Sequence, residues 1–237
     1  MVGNKTFRTL MAYVVSLVVL FPSVNNFTPA YAFDPTSNSL STADSLWVVV
    51  NKQRPLNPIQ YIPNDLMKPS FGSMDSNPYG RKLRKEAAYA AIELGKAMYK
   101  DGGGYLIIQS AYRSYKEQTA VHTRQVNRFG LKAGEALAAR PGYSEHQTGL
   151  AMDVSARGQG CQIRVCFGQT KAGIWLAANA YKYGFILRYP NHGTSVTGYQ
   201  YEPWHLRFVG VELATEMKTK KVHVLEKFFK LPSAPNY

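Results

Sequence analysis

Long apolar runs, cysteines and acidic residues are all scarce in this chain, and each scarcity narrows what it can be. The apolar stretch from Leu10 to Phe21 is interrupted by Ser16 and ended by Pro22, short of the ~20 residues a membrane-spanning helix needs. The only cysteines are Cys161 and Cys166, and thiols without neighbouring histidines rarely complete a metal site. A close, even-numbered pair in an exported chain favours a disulfide instead; closing so short a ring gains roughly 2 kcal/mol, enough to trim a loop but not to hold a fold. Acidic residues number 15 against 28 Lys and Arg, and the resulting +13 suits an anionic surround: nucleic acid, anionic lipid or the polyanionic polymers of a bacterial wall. The basic residues are spread along the chain, whereas a nucleic-acid site wants them clustered, so no nucleic-acid partner is expected. No repeat or low-complexity array is evident.

What is present begins with an address. Lys5 and Arg8 precede the apolar run and Ala30-Tyr-Ala32 supplies a small-x-small cleavage pattern, so residues 1–32 read as a secretory signal peptide cut after Ala32. No cysteine follows, which excludes a lipoprotein signal. Removing Lys5 and Arg8 with this segment takes the charge from +13 to +11. The expected location is secreted or cell-envelope, extracytoplasmic, with no stable membrane span after processing. Residues 33–46, rich in Ser, Thr, Asn and Asp, read as a flexible leader, and residues 233–237 as a fraying tail. Residues 47–232 are long enough to bury one core, so a single domain is expected there.

Within that domain, Pro55, Pro58, Pro63 and Pro69 forbid a long helix and predict an extended strap over the surface. Leu83, Ala87, Ala90, Ala91, Leu94, Ala97 and Met98 recur at helical spacing, predicting a helix over 81–100 that Asp101-Gly-Gly-Gly104 stops. A short strand over 105–109 then delivers Arg113 to a strand-to-helix junction. Further helices are expected from Ser114 onward and over 131–139, 173–183 and 209–220, with a strand over 185–189. His122 reads as a packed or surface residue and His192 as a turn residue. Helices interspersed with short strands on long connections indicate an α+β class.

The chemistry concentrates in Gly142-Tyr-Ser-Glu-His-Gln-Thr-Gly-Leu-Ala-Met-Asp153 and Tyr201-Glu-Pro-Trp-His205. The first segment offers His146 and Asp153, the second His205 with Glu202 beside it. Three nitrogen and oxygen ligands leave a tetrahedral Zn2+ one open position, the mark of a catalytic site. Residues 149–154 read as a turn entering a strand, with Asp153 on one face and Leu150, Met152 and Val154 on the other. Glu202 and His205 would face opposite ways on a straight strand, so a bend is required, and Pro203 is the candidate for it.

At these residues the chain resembles the zinc D-alanyl-D-alanine carboxypeptidases of the VanY type and their LdcB-like L,D-carboxypeptidase relatives. Their pattern is S-x-H-x-x-G-x-A-x-D followed by E-x-W-H, and Ser144, His146, Gly149, Ala151, Asp153, Glu202, Trp204 and His205 fill every position. The likeness extends to Val50-Asn-Lys-Gln-Arg-Pro-Leu56, Ser110-Ala-Tyr-Arg-Ser114 with Gln118, and Phe185-Ile-Leu-Arg-Tyr-Pro190, and so covers residues 47–232. It implies a small, mostly antiparallel sheet surrounded by helices, with Zn2+ on His146, Asp153 and His205 and Glu202 as the catalytic base. By sequence alone Arg113 reads first as a surface arginine paired with Glu117; the resemblance reverses this and implies that Arg113 binds the substrate's terminal carboxylate, with Gln118 and Ser144 lining the substrate site. The implied reaction is release of the C-terminal D-alanine from peptidoglycan stem peptides, after a D-residue in a pentapeptide or an L-residue in a tetrapeptide. A peptidoglycan endopeptidase and a non-catalytic zinc-containing wall-binding module are the alternatives. The stem peptide is the expected partner, with anionic wall polymers a second.

Overall fold

The computed structural model describes residues 33–237 together with Met1 and Gly3; the signal segment expected over 1–32 otherwise lies outside the described residues. Strand β1 (Leu66–Met67) pairs antiparallel with β2 (Leu83–Arg84), and helix α1 (Lys85–Lys100) follows at once. The helix starts later than the apolar spacing predicts because Leu83 and Arg84 are taken up by the pairing with β1. Its buried stripe of Ala87, Ala88, Ala91, Leu94 and Met98 has the helical period that the sequence carries. Then come β3 (Leu106–Ser110), α2 (Tyr115–Phe129), α3 (Leu131–Leu137), β4 (Ala151–Ala156) and α4 (Lys171–Asn179). The chain closes with β5 (Phe185–Leu187), α5 (Thr194–Thr197), β6 (His205–Phe208), α6 (Val211–Thr219) and α7 (Leu225–Phe228).

Helix α2 opens with a reciprocal cap: the Ser114 hydroxyl accepts from the Glu117 N–H at 3.2 Å while Glu117 Oε2 accepts from the Ser114 N–H at 2.7 Å. Glu117 is thereby committed to the helix end, and Arg113 is left to turn elsewhere.

The main sheet has the order β3-β4-β6-β5 with every pairing antiparallel, the small helix-wrapped sheet of the α+β expectation. Met152 lies opposite Leu206 and Asp153 opposite His205. Alternation along the strands then sends Met152, Val154, Leu206 and Phe208 into a core shared with α1 and α4, and Asp153, His205 and Arg207 to the other face. That second face is covered as well, so all six residues of β4 are buried.

Three segments outside the helices and strands are tied down. In the proline-rich strap, the Leu56 N–H donates to the Gly142 carbonyl at 2.8 Å, and Gln147 Nε2 donates to the Ile59 carbonyl at 2.7 Å, lacing the strap to the His146 loop. Residues 33–46 form turns without helix or strand, yet Phe33 stacks on Trp47 at 5.4 Å and Ala43 is buried, so the segment lies on the domain. The tail expected to fray is also docked: the Ala234 N–H donates to the Val196 carbonyl at 2.7 Å and the Tyr237 hydroxyl accepts from the Arg140 N–H at 2.7 Å. Burial of Ala234 and these bonds offset the entropy of ordering the segment.

Candidate active site

The sheet register assembles the site. Asp153 in β4 has Ser110 of β3 on one side and His205 of β6 on the other. The required bend before His205 is a tight turn across Pro203, closed by the His205 N–H donating to the Glu202 carbonyl at 3.1 Å, and the Glu202 N–H is held by the Tyr189 carbonyl at 3.0 Å. His146 lies in a short helical turn, Glu145–Thr148, that Gly149 terminates at φ 69°. A side chain at Gly149 would be strained by that φ, and its Cβ would press on Arg84 and Leu66 at 3.0 Å. The Arg113 N–H donates to the His146 carbonyl at 3.1 Å, which fixes the loop to the β3–α2 junction.

One donor atom from each of His146, Asp153 and His205 lies within 4.8 Å of the others, and all three residues are buried. His146 Nδ1 donates to the Ala111 carbonyl at 2.7 Å, which leaves Nε2, 3.2 Å from Asp153 Oδ2, with its lone pair toward the cluster. His205 is turned the other way, with Nδ1 3.0 Å from Asp153 Oδ1 and Nε2 3.4 Å from Glu145 Oε2. Each imidazole thus presents one nitrogen to a common point and holds its other on an outer oxygen, as metal-ligating histidines do. Two imidazoles and a carboxylate are the donor set of a catalytic zinc site, and the residues fit that ion. Glu202 Oε2 is 3.8 Å from His205 Nδ1, beside the cluster.

The electrostatics follow from burial. Burial raises the Glu202 carboxyl to about 8, with Asp153 nearby adding to the shift and His205 and Arg113 opposing it. Burial lowers His146 to about 4, and Arg113 adds to the effect. For His205 burial also works downward, but its bonds to Asp153 and Glu145 win and raise it to about 9. A cation among these groups disfavours protonation of all three, so with metal bound Glu202 is drawn toward its anionic form.

A buried charge network beneath His205 escaped the sequence reading. Glu145 Oε1 accepts from Arg188 Nε and Arg207 Nη1, both at 2.8 Å. Arg188 also makes a two-point pair with Glu226, at 2.9 and 2.6 Å, and Asn51 Nδ2 donates to Glu226 at 3.0 Å. Glu145, Arg188, Arg207 and Glu226 are fully or almost fully buried. Two arginines among apolar strand residues, Ile186-Leu187-Arg188 and Leu206-Arg207-Phe208, were the available signal, because an unpaired buried guanidinium is too costly to occur.

The site opens into a cavity of about 270 Å³ lined by Arg113, Gln118, Ser144, Tyr189, Glu202 and Trp204 among others. Arg113 Nη2 stands 3.7 Å from Asp153 Oδ2, and its buried Nε has no partner among the described residues. Gln118 Nε2 donates to the Ala139 carbonyl at 2.7 Å, which orients the amide and leaves Oε1 buried and unpartnered. His122 lies away from the metal cluster, 3.6 Å from Glu135, and His192 sits in a turn at φ 65°.

A protein family described as VanY, D-alanyl-D-alanine carboxypeptidase, matches residues 80–211. The chain is similar to YodJ of Bacillus subtilis (strain 168), 40% identical over 192 residues that cover 81% of this chain and 69% of YodJ. Its structure is similar to that of the LdcB LD-carboxypeptidase, with a TM-score of 0.70, 40% identity and coverage of 81% of this chain and 88% of that one. It is also similar to a vancomycin-resistance D,D-pentapeptidase, VanY, solved in complex with Zn(II), with a TM-score of 0.64, 30% identity and coverage of 77% and 97%.

Proposed function

This chain belongs to the VanY family of D-alanyl-D-alanine carboxypeptidases, and from that premise we propose how its own residues release a C-terminal D-alanine from peptidoglycan stem peptides. It is a zinc-dependent carboxypeptidase, and His146 Nε2, Asp153 and His205 Nδ1 hold the ion. Bound there, zinc supplies a Lewis acid that polarises the scissile carbonyl and acidifies water toward a pKa of ~7. Glu202 takes a proton from the attacking water on its carboxylate and returns it to the leaving amine. Glu145 keeps His205 in the tautomer that aims Nδ1 at the metal.

The observation that carries the exopeptidase reading is the pair of unpartnered buried atoms beside the cluster, Arg113 Nε and Gln118 Oε1. A guanidinium with a free donor calls for an anion, and a carboxylate at a peptide's end answers it. Gln118 Oε1 accepts a peptide N–H from the same end. Anchoring the terminus sets the next carbonyl at the metal, and such positioning lowers the barrier by several kcal/mol.

The protein acts outside the cytoplasm, where its substrate is. No helix among the described residues is long and apolar enough to cross a membrane. The positive charge favours residence among anionic wall polymers. The deciding experiment is mass spectrometry of pentapeptide and tetrapeptide muropeptides incubated with the zinc-loaded chain. Loss of a single terminal alanine from either supports the proposal and assigns D,D or L,D specificity. Cleavage within the peptide, or equal cutting of a C-terminally amidated stem, would establish an endopeptidase.

A further inference from the structure

Cys161 and Cys166 are joined, closing a ring whose Cα atoms stand 5.6 Å apart at its neck. Nothing in the chemistry above uses this ring, yet Ile163 within it lines the catalytic cavity. Ile163 is 41% exposed, whereas the metal cluster and Glu202 are buried. Its backbone sits at φ 51°, a region that β-branched residues avoid, and Cys161, two residues before it, is at φ 55°. Such conformations persist where the surroundings over-determine them.

The surroundings are identifiable. Cys161 is packed against the main core, and Phe167, just past the ring, is fully buried in it. The Arg164 N–H donates to the Cys161 carbonyl at 3.3 Å and the Phe167 N–H to the Arg164 carbonyl at 2.9 Å. A Cβ added to Gly168 would lie 2.5 Å from the Tyr201 hydroxyl and 3.2 Å from Pro203 Cβ, so the backbone leaving the ring runs against the segment that carries Glu202. The ring is therefore anchored to the core and to the base segment, with an aliphatic side chain left facing the cavity.

Taking the carboxypeptidase reading as its premise, we propose that the disulfide-closed ring 161–166 is a specificity element that presents Ile163 to the substrate, against an aliphatic side chain on the acyl side of the scissile bond. The side follows from the reaction. In an exopeptidase the leaving alanine ends at Arg113, so only the acyl chain continues out of the pocket. The cavity, about 270 Å³, is below the ~300–1,000 Å³ of sites that engulf a drug-sized ligand, so the rest of the stem must cross the rim. Two exposed aliphatic groups line the cavity, Leu137 and Ile163; Leu137 lies two residues before Ala139, whose carbonyl holds Gln118 on the terminus-binding side, which leaves Ile163 for the acyl chain. The disulfide restricts the alternatives open to the ring, and its reduction loosens the contact while the metal cluster stays intact.

The test compares KM, kcat and zinc content on whichever muropeptide the wild type cleaves. Ile163→Ala should raise KM about 5-fold, less than the 10–200-fold of an enclosed methyl group because the contact is half open, and leave kcat and zinc unchanged. Ile163→Val should recover most of the loss. The paired Cys161→Ser/Cys166→Ser variant should raise KM similarly, and adding Ile163→Ala to it should change KM by less than about twofold, because both act through one contact. KM within twofold of wild type for Ile163→Ala overturns the proposal. A rise for Ile163→Ala with none for the cysteine pair overturns the ring's part in it. A wild type that releases no alanine from any stem peptide overturns the underlying carboxypeptidase reading instead, a result separate from either.

Discussion

Glu145→Gln is the most demanding test of the site as built. The side chain is fully buried and its carboxylate accepts from Arg188, Arg207 and His205 Nε2. Within the buried group, Arg188 and Arg207 are balanced by Glu145 and Glu226, so the amide leaves one guanidinium charge uncovered. Removing one partner of a buried pair costs about 3–5 kcal/mol. At about 2–4 °C per kcal/mol for a domain of this size, the melting temperature should fall by about 6–20 °C. Zinc should also bind about 10–100-fold more weakly, since His205 loses its outer carboxylate and a positive charge is exposed behind it.

The assay is a pair of thermal melts, with zinc and with chelator, together with a zinc competition titration. Burial works against the Glu145 charge, but Arg188 and Arg207 outweigh it and hold the carboxyl well below the ordinary range. Its folded pKa is therefore lower than its unfolded value of about 4.3, so its stabilisation is present above that pH and fades as pH falls below it. The gap between wild type and Glu145→Gln should accordingly narrow below about pH 4. Adding Arg207→Met restores charge balance and should return part of the lost stability, a coupling of about 0.5–3 kcal/mol. The reasoning is refuted if Glu145→Gln melts within 2 °C of wild type, on the order of half a kcal/mol, and holds zinc as tightly.

Glu202→Gln should retain zinc and lose activity by about 10²–10⁴-fold, the usual scale of a general base; near wild-type turnover at equal zinc content would remove Glu202 from the mechanism. His146→Ala, Asp153→Ala and His205→Ala should each lower zinc occupancy itself, and full occupancy by metal analysis would reject that ligand. Arg113→Lys keeps the charge but not the planar fork, so kcat/KM should drop by about 10-fold or more, and undiminished activity would end its carboxylate-reading role. Intact-mass analysis of exported protein should give a chain beginning at Phe33 and two mass units light for the Cys161–Cys166 bridge; an uncleaved start would contradict the signal reading.

The residue types of the site, and its place in the chain, were legible because they lie in two short segments whose local pattern is complete. Alternation around Asp153 placed it on the face opposite Leu150, Met152 and Val154, and the spacing of Glu202 and His205 demanded the turn that Pro203 occupies. Helix α1 was legible too, except for its start, which the β1–β2 pairing moved. The tertiary structure alone decided what lies behind and around these residues. Glu145, Arg188, Arg207, Glu226 and Asn51 come from five separate stretches, and only the antiparallel register and the docking of α7 bring their charges into one dry place. The docked tail at Tyr237 and the reach of Ile163 to the cavity were hidden for the same reason. A local pattern states which face a side chain takes, whereas the partner it meets there is set by chain closure over long separations, which no short window of sequence contains.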